Sequence, residues 1–194
     1  MRVLMSGVAM AVVIGAATPS AAQTQPPATA HAPSAQATAI AKLDFMRGEW
    51  VGPATGVNRD GSRFSITQTE RIGPMLGGDI LVIEGHGYRD DGTTGFNAFA
   101  VVSWDAQSNR YEMRSYAQGY AGTFPFTLTD KGYVWEVPAG PGMMRYEAEV
   151  TPTTYHEVGD FVMTGQPPRR SFEMTLTRRG ETDWPAAGAV SPAP

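Results

Sequence analysis

The stretch FMRGEWVG, residues 45–52, sets a glycine, one variable residue and a tryptophan where a helical pattern gives way to a β pattern. Upstream, TAIAKLDFM (38–46) places Ile40, Leu43 and Phe45/Met46 on one helical face, with Thr38 at the N-cap position. Downstream, the chain alternates between β-rich runs and turns to about residue 180. The stretch therefore marks the passage from a short helix into an all-β body.

The turns are regular: NRDGS (58–62), GPMLGG (73–78), RDDGTTG (89–95), DAQSNR (105–110), TDKG (129–132), PAGPG (138–142), TPTT (151–154) and TGQPPR (164–169). Between them lie runs rich in Val, Ile, Thr, Phe, Tyr and Trp, near 48–56, 62–72, 79–88, 95–104, 109–117, 121–129, 132–138, 143–150, 154–163 and 170–179. No connection has room for a crossover helix, so successive strands pair antiparallel. About ten such strands leave long unpaired edges unless the sheet closes, which predicts an antiparallel up-and-down β-barrel.

Alternation separates two faces. Tyr111, Met113 and Ser115 alternate with Glu112, Arg114 and Tyr116; Met144, Tyr146, Ala148 and Val150 alternate with Arg145, Glu147 and Glu149; Phe172, Met174 and Leu176 alternate with Glu173, Thr175 and Thr177. The apolar sets are expected to point inward. NAFAVVSW (97–104) is apolar on both faces, which predicts an outer cover, assigned here to the N-terminal helix.

Composition narrows the function. The 194 residues carry a net charge of −4, so no basic field for nucleic acid is present. With no cysteine, disulfides, thiolate metal sites and cysteine nucleophiles are excluded. Arg2, the apolar run VLMSGVAMAVVIGAA and the small residues Ser20 and Ala22 form a signal peptide over 1–22, cut between Ala22 and Gln23. The run is too short for a comfortable membrane span, which predicts an exported protein, periplasmic or secreted, without a stable membrane anchor. Residues 23–37 read as an Ala/Pro-rich linker, 38–180 as the barrel, and 181–194 as a loose tail whose start Trp184 tacks to the body.

Gly48-x-Trp50 after a short helix resembles the signature of the calycins, the lipocalins and fatty-acid-binding proteins. That resemblance implies that Trp50 plugs the closed barrel end under a basic residue of the last strand, which also caps carbonyls of the N-terminal segment. Strand parity selects Arg178 over Arg179, because Arg178 shares a face with Phe172, Met174 and Leu176. LDFMRGEWVG, ERIGPMLGGDILVIEGHG, VVSWDAQSNRYEMRSYAQG, and HEVGDF followed by RRSFEMTLTR together resemble the DUF1579 family of lipocalin-like proteins. The likeness implies a calycin-type barrel and supplies no agreed activity. Part of that family is labelled haem-binding by analogy with the nitrobindins.

The expected function is binding of a small, largely apolar molecule inside the barrel, without a resident cofactor. Its candidate ligand-binding residues are Gln68, Glu70, Glu84, His86, Tyr111, Met113 and Tyr146, with Arg114 or Tyr116 assisting. Gln68 and Glu70 share a face with Phe64 and Ile66; Glu84, His86 and Tyr88 share one with Ile80 and Val82. Either these strands run to a wet mouth, or they carry a polar patch within an apolar cup. Glu84 and His86, two apart on one strand, can also serve as an acid/base pair in an enzyme or as two metal ligands, with His156 as a third. Haem is the remaining alternative, with His156 as axial ligand and His86 behind it, although the last strand carries no histidine. No G-x-S-x-G motif supports nucleophilic catalysis, and GPMLGGD and GHGYRDDG read as turns rather than phosphate loops.

Overall fold

The computed structural model describes residues 32–58 and 60–185. The expected signal peptide, most of the expected linker and residues 186–194 lie outside the described residues. Helix α1 (Ala35–Ile40) runs into a 3-10 helix (Ala41–Met46). Then come strands β1 (Gly48–Val57), β2 (Arg63–Met75), β3 (Ile80–Tyr88), β4 (Thr94–Asp105), β5 (Arg110–Ala117), β6 (Tyr120–Leu128), β7 (Gly132–Ala139), β8 (Gly142–Val150), β9 (Thr154–Val162) and β10 (Arg169–Gly180). Each strand pairs antiparallel with its neighbour in the chain, and β10 closes on β1. The described residues thus form the closed up-and-down barrel that the turn spacing predicts.

The helix starts earlier than its sequence pattern suggests. Ser34, not Thr38, is the N-cap: its hydroxyl accepts from the Ala37 N–H at 2.8 Å and donates to Asp79. Thr38 instead bonds back to the Ser34 carbonyl at 2.9 Å. Residues 35–37 therefore belong to the folded body rather than to the linker.

Nor does the helix cover the outside of β4. Ala39, Ile40, Leu43 and Met46 enter the core at one barrel end, among Trp50, Ile72, Val102, Tyr111 and Leu176. The Tyr111 hydroxyl donates to the Ala39 carbonyl at 2.7 Å, tying the helix to the floor. The outer face of β4 meets the chain's other end, where Phe99 packs edge-on against Trp184 at 6.4 Å between centroids. Arg47 donates to the Thr182 carbonyl at 3.3 Å, and the Trp184 carbonyl occupies the place where a side chain on Gly73 would stand. Residues 181–185 are docked, with Trp184 as the tack.

Trp50 is fully buried, and its indole N–H donates to the Met46 carbonyl at 2.9 Å. Arg178 pairs with it across β1–β10 and lies 5.0 Å from the ring centroid. Burying an indole removes roughly 150–250 Å² from water, or roughly 4–6 kcal/mol at 25 cal/mol per Å², against roughly 0.5–2 for the cation over its face. Burial is the larger effect. A side chain at Gly48 (φ 130°) would meet the Gly180 carbonyl at 2.7 Å and the guanidinium at 3.0 Å, so glycine permits the close crossing. The Arg178 guanidinium donates to Glu181 at 2.6 Å, not to a carbonyl of the N-terminal segment as the calycin signature implies.

Candidate functional site

Above the Trp50 plug the barrel encloses a cavity of about 1440 Å³ that reaches the loops at the opposite end. Its walls are mostly apolar and aromatic: Ile66 from β2, Ala98 and Ala100 from β4, Met113 from β5, Trp135 from β7, Met144 and Tyr146 from β8, and Phe172 and Met174 from β10. Trp135 and Tyr146 stack at 4.4 Å, with Phe172 edge-on to Tyr146 at 6.1 Å. Trp135 and Tyr146 are register partners on β7 and β8, and Tyr146 and Phe172 meet over Gly159 of the intervening β9.

Polar groups gather at the floor. The Gln68 amide donates to Glu70 at 2.8 Å. From β7 and β9, Tyr133 donates to Glu157 at 2.6 Å and bonds to Tyr155, whose ring meets Trp50 edge-on at 5.7 Å. Glu157 and Gln68 are buried; Glu70 is half-buried, and it too lines the cavity. Burial pushes the Glu70 carboxyl up to about 8 against the lowering effect of the Gln68 bond, with the charges of Glu157 and Glu84 adding to the rise. Burial likewise raises Glu157 to about 7, opposed by hydrogen bonds from Tyr133 and Trp135. Tyr133 and Tyr155 are held well above the ordinary phenol value, and Tyr146 is pushed up to about 12, in each case first by burial and then by Glu157. Burial thus holds both carboxyls towards their neutral forms. In effect the floor is a hydrogen-bonding surface of reduced charge.

Of the residues singled out from sequence, Gln68, Glu70, Met113 and Tyr146 line the cavity. Tyr111 points inward but sits below it, against the helix. Glu84 and His86 lie on the outside, contrary to the expected inward face. The inner positions of β3 are Ile83, Gly85 and Gly87, and the glycines matter: a side chain at Gly85 would stand 2.9 Å from the Glu70 carboxyl. Gly85 and Gly87 make room for the polar side chains of β2. Val82, with the outward parity, is nevertheless buried, so apolarity does not mark the inner face of this strand.

Outside, Glu84 and His86 approach to 3.4 Å, and His86 stacks on Tyr88 at 6.2 Å. They border an open groove of about 490 Å³ with Asn97, Phe99, Tyr116 and Tyr120. Arg114 also faces outward, donating to Tyr116 at 3.1 Å and Thr123 at 3.0 Å. His156 lies on the outer face of β9 beside Glu173 at 3.1 Å. The three proposed metal ligands therefore do not converge, and no group of three potential ligands occurs among the described residues. Haem fits poorly too: neither His86 nor His156 can reach into the cavity, so the axial ligand that the sequence offers is on the wrong side of the wall.

Glu157, Tyr133 and Tyr155 are the residues that the sequence reading missed. The signal was parity: Tyr155, Glu157, Gly159 and Phe161 share one face of β9, so an inward Tyr155 and Phe161 carry Glu157 in with them.

No family model matches the chain, and a search of curated proteins finds no match. Solved structures do match. Rv2717c from M. tuberculosis superposes with a TM-score of 0.54 at 12% identity, over 75% of this chain and 98% of its own. The fold is calycin-like. The S-type phycobiliprotein lyase CPES from Guillardia theta aligns at a TM-score of 0.48 and 9% identity, over 77% of this chain and 99% of its own. At 12% identity the likeness to Rv2717c concerns the fold alone, and the chemistry rests on the residues of this cavity.

Proposed function

We propose that this protein is an exported calycin-like barrel that binds a small, largely apolar molecule in its cavity. The supporting observation is the lining: an apolar and aromatic wall with a few convergent polar groups at its deepest point, the usual composition of a small-molecule site. The volume of about 1440 Å³ exceeds the roughly 300–1,000 Å³ of common ligand pockets, leaving space for an extended occupant. Export follows from the signal peptide, and the resemblance to DUF1579 agrees with a lipocalin-like barrel while supplying no activity.

The test begins with protein recovered from the cell envelope, its first residue read by N-terminal sequencing and expected to be Gln23. Solvent extraction and mass spectrometry should then recover an apolar compound, and Nile red should fluoresce on binding the emptied barrel. Ala98→Trp combined with Ala100→Trp, which places two indoles inside the cavity, should weaken dye uptake while the barrel remains folded. Uptake unchanged by this double substitution in a folded protein, or the absence of uptake by a folded native protein, would overturn the reading.

A further inference from the structure

The cavity is charged unequally along its length. Its acids, Glu70 and Glu157, are at the floor; its cations, Arg63, Arg89, Arg169 and Arg170, stand at strand ends around the mouth. Two of these arginines are already engaged. Arg170 bonds Asp160 at 2.7 Å, and Arg89 donates to the Thr94 carbonyl at 2.9 Å. Arg63 and Arg169 have no ion-pair partner among the described residues, and the Arg169 guanidinium lies 5.5 Å from the Phe161 ring centroid. Arg63 opens β2 and Arg169 opens β10, and these two strands flank β1, so both arginines occupy the same arc of the mouth. The same arc carries the floor: Gln68 and Glu70 lie further along β2, and Glu157 on β9 beside β10.

The two ends call for different chemistry. The floor presents donors, the Gln68 amide and the phenols, together with carboxyl acceptors. A hydroxyl both donates and accepts, and so matches it. A carboxylate only accepts, and would bring a third acid to a floor where no cation lies among its lining residues. An ammonium would suit the acids but leave the mouth arginines without a counter-charge. From Glu157 to Phe161, beneath Arg169, four residues of strand advance about 13 Å. Resting on the ligand-binding reading above, we propose that the occupant is an elongated amphiphile with a hydroxyl at its deep end and an anionic group at its outer end, about 13 Å apart along the wall. The hydroxyl engages Gln68, Glu70 and Glu157, the apolar body lies against Trp135, Tyr146 and Phe172, and the anion meets Arg169 and Arg63.

The experiment is displacement of bound Nile red from the mature protein by four chain-matched compounds: ω-hydroxydodecanoate, dodecanoate, dodecan-1-ol and dodecylamine. The hydroxy acid should displace the dye at about tenfold lower concentration than either singly functional acid or alcohol, as expected for one added charge-assisted or buried hydrogen bond. Arg169→Gln should remove its advantage over dodecan-1-ol, together with the salt dependence of that advantage. Glu70→Leu should remove its advantage over dodecanoate, and Gln68→Leu tests the same contact should the first variant fold poorly. If dodecanoate equals the hydroxy acid, or dodecylamine surpasses it, with Nile red still bound, the two-ended ligand is refuted and the cavity's binding role stands. If neither Nile red nor any of the four binds, both are refuted.

Discussion

Replacing the two floor acids together, Glu70→Gln with Glu157→Gln, should abolish most of this protein's loss of stability in alkali. Both acids are raised in the folded state, to about 8 and about 7 from 4.5, so the folded protein holds protons that the unfolded chain has already released. Stability must then fall as pH rises from about 4.5 to about 8, since the folded state binds more protons throughout that window. At 1.36 kcal/mol per pH unit, full ionisation costs about 5 kcal/mol at Glu70 and about 3 at Glu157. The acids raise one another and water can enter the cavity, so the two costs do not add; a total loss of about 3–6 kcal/mol is expected. That is a large part of the roughly 5–15 kcal/mol of a typical domain. Asp60, Asp91 and Asp105 act in the opposite sense. Hydrogen bonds from Ser62, Thr93 and Ser108 hold them below the ordinary value, so their contribution is lost only as pH falls below the usual carboxylate range, outside this window. Urea unfolding at intervals between about pH 5 and 9 measures the effect. The native protein should lose stability steadily, whereas the double variant, isosteric and uncharged, should be nearly flat and the more stable of the two at pH 9. A native protein indifferent to pH over this range, or a double variant with the native slope, would refute the assignment of a cation-free acid floor.

The closed end and the outer face give further expectations. Trp50→Ala should cost about 3–5 kcal/mol in chemical denaturation, because it empties a fully buried indole site. Arg178→Met should cost only about 1–2 kcal/mol in the same assay, since it removes the cation but leaves the plug. His156→Ala should cost under about 1 kcal/mol and leave Nile red binding unchanged, because its pair with Glu173 is solvent-exposed and outside the wall. A large loss of binding in that variant would reopen the haem reading. Glu84→Gln and His86→Ala should likewise leave cavity binding within about twofold of native, measured by dye titration.

Much of the architecture was legible in the chain. Turn signals at short intervals and β-rich runs between them specify antiparallel neighbours, and local chemistry is enough to read them: Asp, Asn and Gly at turns, β-branched and aromatic residues within strands. Trp50 and Arg178 could be paired because the period of two is rigid along β10 from Phe172 to Arg178. Period two divides a strand into two faces, but it does not say which one is enclosed. On β9 or β10 the apolar set decides. On β3 it misleads, since Val82 is buried despite its outward parity, while Gly85, which has no side chain to signal inwardness, lines the cavity and Gly87 leaves room for Ile66 and Gln68. Glu84 and His86 were therefore assigned to the wrong side. Closure of β10 on β1 settles the matter: it fixes the inside of every strand at once, brings Glu157 into the same chamber as Glu70, and leaves two acids sharing a floor whose lining holds no cation. Charge burial depends on what surrounds a group in three dimensions, and no local pattern encodes it.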